Sequence, residues 1–451
     1  MDRRLSRRWW WPVLAILWCC SQDDRTRPQP AAGPSAEDLR TDIAARATAI
    51  ESKLIHWRRD IHEHPELGEQ EHRTAKLVAD HLKRLGLEVR TGVAKTGVVG
   101  VLRGGEGPVV ALRADMDALP IEEKTSLSFA SKAKGLYLKK ETPVMHACGH
   151  DAHTAILMAV AEVLAGVKAK LPGTVVFYFQ PAEEGPSEYV AAQGSSWGAK
   201  RMIEEGAMRS PKPDAVFGLH VFAGGPAGRI AYRSGPTMAS SDDLRVEIIG
   251  KQTHAGRPWA GVDPITISAQ VIMGLQTVVS RQTDISSVPT VVSFGTIHGG
   301  VRPNVIPERV EMAGTIRSYD EKLREQTHHH VKRTITGIAE SAGAKAEVEI
   351  LRKYDPTIND ADLTAWAGPS LIWAADGDVV HAPLTGGAED FSFMAKQAPG
   401  LFFFLGATSP DKDLATAPSN HNASFDVDES TLVTGVRALA VLTTDFMTRP
   451  R

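Results

Sequence analysis

The chain has 451 residues, with 51 Lys and Arg against 54 Asp and Glu, for a formal net charge of −3. This balance gives no electrostatic footprint for DNA or RNA, and 42% hydrophobic residues with scattered Gly and Pro describe a globular protein. Only three cysteines are present, two of them adjacent at Cys19 and Cys20, which excludes a disulfide framework.

At the N-terminus Arg3, Arg4, Arg7 and Arg8 precede an apolar run over residues 9–18, well short of the roughly 20 residues that cross a bilayer. The pattern predicts an export signal over residues 1–21, hence a periplasmic or secreted protein. Cys19 or Cys20 is a candidate lipid-attachment site, the one membrane contact expected. Residues 22–37, rich in Pro, Ala and charge, predict a flexible tether. Two amphipathic helices are expected between residues 39 and 86, separated at His64-Pro65-Glu66 because a residue before proline avoids helical dihedrals.

Val- and Leu-rich runs bounded by glycine predict buried strands at 96–102 and 108–113. A helix at 154–165, a strand at 174–179, a helix at 198–205 and a strand at 215–219 follow. Alternation of this kind predicts an α/β fold, a mixed sheet flanked by helices. From 238 to 350 the pattern changes to strand 244–249, helix 264–281, strands 290–297 and 310–316, helix 320–341 and strand 345–350. This is the βαββαβ order of a ferredoxin-like α+β unit. A core strand at 401–405 and a helix at 430–447 then return to α/β. The expected organisation is a catalytic domain in two segments, 38–237 and 351–451, interrupted by a lid or dimerisation domain at 238–350.

Met145-His146-Ala147-Cys148-Gly149-His150-Asp151-Ala152-His153 gathers a thiol, three imidazoles and a carboxylate into nine residues. On an extended segment Cys148 and His150 face the same way, and thiolate with imidazole suits zinc or a similarly borderline ion. A buried cysteine beside surface histidines fits this segment alone equally well. In Gln180-Pro181-Ala182-Glu183-Glu184-Gly185 two glutamates follow a strand, at the end where open α/β sheets bind ligands. One can ligate a metal while the other acts as a base, although two solvated acids on a turn are the commoner fate of such a pair. His220 closes the apolar run 215–219, and His421 lies in the polar loop Ser419-Asn420-His421-Asn422.

With Arg58-Arg59-Asp60-Ile61-His62-Glu63-His64-Pro65-Glu66-Leu67, Arg113-Ala114-Asp115-Met116-Asp117-Ala118-Leu119-Pro120, Asn304-Val305-Ile306-Pro307 and Gly387-Ala388-Glu389-Asp390-Phe391, these segments occur in a specific order. Over about residues 58–447 the chain resembles the dinuclear-metal amidohydrolases, which include aminoacylases, hippurate hydrolases, auxin-conjugate hydrolases and certain carboxypeptidases. The resemblance implies that Cys148, His150, Glu184, His220 and His421 hold two divalent metal ions, zinc ahead of manganese or cobalt, with Cys148 as the bridge. It implies that Glu183 is the general base for attack of a metal-activated hydroxide on the amide of an N-acyl amino acid or small peptide. It further implies that His254 is a lid histidine stabilising the oxyanion, often from the partner subunit of a homodimer. Asn304 and Arg317 are then candidates to grip the substrate carboxylate, and Asp115 and Asp117 to hydrogen-bond ligand imidazoles. Where many relatives carry a second histidine after the lid proline, this chain has Trp259, which points to an apolar, aromatic wall near the lid and a bias toward hydrophobic or aromatic N-acyl amino acids.

Two rival readings stand beside this one. Gly194-Ser195-Ser196-Trp197-Gly198 fits the elbow of a serine-type amidase or esterase with Ser196 as nucleophile, which requires a core strand directly before it. A non-catalytic metal- or ligand-binding protein on the same scaffold is the other, and Glu183 beside five candidate ligands argues against it. His328-His329-His330 spread too far round a helix to converge on one ion.

Overall fold

The computed structural model describes residues 36–188 and 195–449, so the expected export signal, Cys19 and Cys20, and nearly all of the tether lie outside the described residues. The last two tether positions, 36 and 37, are already helical. Three helices, Ala36–Ala49, Glu51–Glu63 and His72–Arg84, stand where the sequence led us to expect two. The unexpected break falls at Ile50, neither Gly nor Pro, so no breaker marks it. The expected stop at His64 before Pro65 is present. No helix among the described residues is long and apolar enough to cross a membrane.

The main sheet has eight strands in the order Glu88–Val93, Gly97–Arg103, Thr174–Gln180, Val109–Asp115, Ala215–Pro226, Gly400–Thr408, Ile230–Tyr232 and Val379–His381. Its central strands pair in parallel and its first strands antiparallel. Apolar residues fill both faces: Val175, Phe177 and Phe179 point into one core, Val176 and Tyr178 into the other. Strands covered on both sides read as continuous hydrophobic runs, which is why they are legible in sequence. Gly400–Thr408 pairs with Ala215–Pro226, so chain from both sides of the inserted segment completes one sheet.

The insert forms a four-stranded antiparallel sheet ordered Thr290–His298, Arg309–Ser318, Ser241–Ile249, Lys345–Tyr354. The helices Pro264–Thr277 and Glu321–Ser341 are N-capped by Asp263 and Asp320, whose carboxylates accept the first free amides. Leu244, Val246, Ile248, Val271 and Ile335 belong to a core of its own. The connectivity is the expected ferredoxin-like one. Lys345–Tyr354 runs four residues past its expected end, and Ser241 sits opposite Tyr354. The chain therefore enters and leaves the lid on adjacent strands. Buried Arg324 braces this junction, donating from Nε to Asp242 Oδ2 at 2.9 Å and from Nη1 to Asp355 Oδ1 at 2.6 Å.

Candidate active site

The segment carrying Cys148 and His150 is not extended. Gly149, at φ +96°, makes a left-handed turn into the helix His150–Gly166, and a Cβ there would stand 2.2 Å from Val221 Cγ2. Only glycine permits this turn, and the turn, instead of strand alternation, brings the thiol and imidazole together. His150 Nδ1 donates to Asp117 O at 2.8 Å, and its buried Nε2 has no hydrogen-bond partner. His220 lies within the strand, which continues through it to Pro226 in place of the expected end at 219. Its Nδ1 donates to Val221 O at 2.7 Å and its Nε2 stands 3.3 Å from Cys148 Sγ. Backbone carbonyls thus fix both Nδ1 protons and leave both Nε2 lone pairs available to a cation.

His421 occupies a positive-φ position in its loop, its amide donating to Ala147 O at 2.7 Å. Its Nε2 is 3.2 Å from Cys148 Sγ and 2.8 Å from Glu184 Oε1. The neighbouring Asn420 ties this loop down, donating to Cys148 O and Val221 O and accepting from Ala223 N.

The glutamate bend is gripped by its amides. Ala182 N donates to Glu71 Oε1 at 2.8 Å, and Glu183 N and Glu184 N donate to the two oxygens of Asp117 at 3.0 and 2.9 Å. Asp117 therefore orients His150 through its carbonyl and the glutamates through its carboxylate. Of the two expected carboxylate contacts to ligand imidazoles, that of Asp117 is present, its Oδ1 standing 3.3 Å from His150 Nδ1, whereas Asp115 accepts from His153 Nδ1 at 2.6 Å and Arg113 Nη1 at 2.7 Å and comes only within 3.6 Å of His150. The strand ends at Asp115, so its alternation does not extend to Asp117.

Cys148, His150 and His220 bring one ligand atom each within 4.8 Å of one another, and so do Cys148, Glu184 and His421. The two sets share the thiol. A buried imidazole nitrogen without a partner, aimed among thiol and carboxylate donors, is what a bound cation satisfies. The residues present fit metal binding: Cys148, His150, Glu184, His220 and His421 are the side chains that would hold two ions. His153 offers no such lone pair, because its Nε2 already accepts from Val221 N at 2.8 Å.

Burial, and then the charges of Glu389 and Glu184, hold Glu183 well above the usual carboxylate range. Burial also opposes charge on Glu184, but its hydrogen bond and attraction to His421 outweigh this and leave it below that range. Adjacent carboxyls driven in opposite directions suit the separate roles of base and ligand. Both line a cavity of about 400 Å³ that also exposes Arg317 and Lys353, with Phe222, Met238 and Phe404 as its apolar wall.

Residues 111–445 match the sequence profile of peptidase family M20/M25/M40. Thermostable carboxypeptidase 1 of Saccharolobus solfataricus is 41% identical over 413 residues, spanning 91% of this chain and 98% of that relative. The chain belongs to the M20/M25/M40 peptidase family. N-acetylcysteine deacetylase of Bacillus subtilis is 38% identical over 397 residues, 87% of this chain and 97% of that one. The crystal structure of a Bacillus subtilis protein described as a dinuclear metal binding peptidase of the M20 family superposes with a TM-score of 0.72. It is 34% identical and covers 89% of this chain and 99% of that one. This M20 protein is accordingly a metal-dependent hydrolase of amide bonds.

Within the M20 site, Cys148, His150, Glu183, Glu184, His220, His421 and Arg317 come together as expected from sequence. His254 and Asn304 do not join them. They meet each other on the lid, where Thr253–His254 pairs with Val305–Ile306 and Ala255 N donates to Asn304 O, but neither lines the cavity. Trp259 is 78% exposed on the same part of the lid, so the aromatic wall of the cavity in this chain is Phe222 against Phe404, centroids 5.7 Å apart. Residues 189–194, where an elbow at Ser196 would need its strand, lie outside the described residues. The Ser196 hydroxyl donates to Glu204 Oε2 at 2.5 Å, with no imidazole in hydrogen-bond contact among the described residues, and the family match gives the serine-type alternative no support. His328 bonds Asp242 at 2.8 Å, and the three histidines do not converge. Lys353, Tyr354 and Glu389, which line the cavity, carried no signal of their own in sequence, although Glu389 lies in the quoted Gly-Ala-Glu-Asp-Phe segment.

Proposed function

We propose that the chain hydrolyses N-acyl amino acids or small peptides bearing a free carboxylate, with two divalent cations held by Cys148, His150, Glu184, His220 and His421. The observation that carries this reading is a pair of donor sets sharing one thiol, beside Glu183, in a cavity that also presents Arg317 and Lys353. Bound cations supply polarisation of the scissile carbonyl and acidification of water. Glu183 takes the proton of the attacking water and passes it to the departing amine. Arg317 and Lys353 receive the substrate carboxylate, while Phe222, Met238 and Phe404 favour an apolar group. Thiolate and imidazole donors favour zinc ahead of manganese or cobalt. His254 and Asn304, absent from the cavity of their own chain, serve that of a second copy in a homodimer. The N-terminal segment 1–21 directs export, checked by N-terminal sequencing of the mature protein.

The test is a panel of N-acetyl- and N-benzoyl-amino acids and dipeptides, each with its carboxyl-amidated counterpart. Chelation abolishes turnover, readdition of zinc, manganese or cobalt restores it, and the amidated substrates are poor. Elemental analysis finds two ions per chain in the active protein. Glu183→Gln keeps the metal and loses at least about 100-fold in kcat. Full turnover in a metal-loaded Glu183→Gln overturns the mechanism.

A further inference from the structure

We infer that Tyr354 is a positioning residue that ties the last strand of the lid to the backbone of Glu183, so that the lid sets the geometry of the base. The inference rests on the reading of Glu183 as general base. Tyr354 ends the strand Lys345–Tyr354 opposite Ser241, where the chain passes between lid and main sheet. Its hydroxyl donates to the carbonyl oxygen of Glu183. Trp197 Nε1 donates in turn to that hydroxyl at 3.0 Å, occupying it as an acceptor and leaving its proton directed at the carbonyl.

The peptide plane joining Glu183 to Glu184 is therefore gripped at both ends. Its N–H is held by Asp117 Oδ2, which follows a strand of the main sheet, and its C=O by Tyr354, which belongs to the lid. The amides of Ala182 and Glu183 are held by Glu71 and Asp117, so the other contacts of the bend described above come from the main domain. A rotation of that plane would swing Glu183 and Glu184 together, and Tyr354 is the contact whose position follows the lid. The next residue reinforces this dependence, because Asp355 bonds Arg324 of the lid helix on one side and Lys396 on the other. Displacements of about 1 Å at reacting groups cost rate steeply.

Tyr354→Phe deletes the hydroxyl and keeps the ring. The expected result is a roughly tenfold fall in kcat with KM changed less than about twofold, since the lost bond acts on the chemical step and not on substrate binding. Metal content stays at the wild-type value, and amide hydrogen exchange in peptides spanning residues 181–185 speeds up. Trp197→Phe, which frees the hydroxyl to rotate, lowers kcat less, and adds nothing in the Tyr354→Phe background because it acts through that hydroxyl. A kcat unchanged in Tyr354→Phe, or a Trp197→Phe effect that persists in full in the double variant, overturns the assignment. If Tyr354→Phe fails to fold, Trp197→Phe alone decides: a lowered kcat with faster exchange at 181–185 supports it and a wild-type kcat overturns it. Glu183→Gln, run in parallel, separates the two claims. Inactive Glu183→Gln with wild-type Tyr354→Phe removes only the role of Tyr354, whereas active Glu183→Gln removes the base itself.

Discussion

Asp117 serves its neighbours through two kinds of atom, and a substitution removes one kind. Asp117→Ala leaves the carbonyl hydrogen bond to His150 in place while freeing the amides of Glu183 and Glu184 and removing the carboxylate 3.3 Å from His150 Nδ1. We predict that kcat falls roughly 10–100-fold while elemental analysis still finds metal, because such supporting contacts tune activity by that factor. Lys353→Met removes one of two cations from the cavity and is expected to raise KM for free-carboxylate substrates about tenfold, with little change for the amidated forms. The candidate ligands were legible because thiol, imidazole and paired carboxylates are chemically distinctive and fall in short segments. Lys353 and Tyr354 were not, because a Lys or Tyr near the end of a strand looks ordinary until the register opposite Ser241 places it over the cavity.

The junction of lid and main sheet is held by a charge cluster that no local pattern announces. Burial opposes the charge of Asp242, yet hydrogen bonds from His328 and Arg324 hold its pKa below the usual carboxylate range. A carboxyl depressed in the folded state contributes stability above its unfolded pKa and loses it as pH falls through the folded value. Asp242→Asn is predicted to destabilise by about 1.5–3 kcal/mol in denaturant titration, because buried Arg324 loses the carboxylate that accepts from its Nε and Nη2 and keeps only Asp355 and Glu321 as charged partners. Its melting temperature should also respond less to acid than that of the wild type. Buried strands and the ferredoxin-like order were readable from apolar runs and turn residues, because packing on both faces demands continuous hydrophobic sequence. The helix Ala361–Ala374 was not, because Gly368-Pro369 stand inside it and a proline there ordinarily ends a helix. The break at Ile50 was invisible for the opposite reason, lacking any breaker residue.

For the molecule as a whole, His254 and Asn304 sit on the lid while the cavity they are assigned to lies elsewhere in the chain. If a second copy supplies them, two inactive variants can repair each other. Mixing Glu183→Gln with His254→Ala after dissociation and reassociation should restore about a quarter of wild-type activity, since half of randomly paired dimers are mixed and each holds one intact site. No recovery, with mixed dimers confirmed by mass, means that each chain works alone. Sequence placed His254 and Asn304 on the lid without saying which cavity they serve, because a contact with a second copy would leave no trace along one chain. The insertion itself has a consequence for synthesis. The central strand Ala215–Pro226 cannot gain its neighbour Gly400–Thr408 until the whole lid has been translated. At roughly 5–20 residues per second that delay is on the order of ten to thirty seconds. Every strand and helix of the lid sheet lies between Ser241 and Tyr354. The ribosome therefore delivers a lid able to close its own core while the sheet that carries the chemistry is still waiting for its second half.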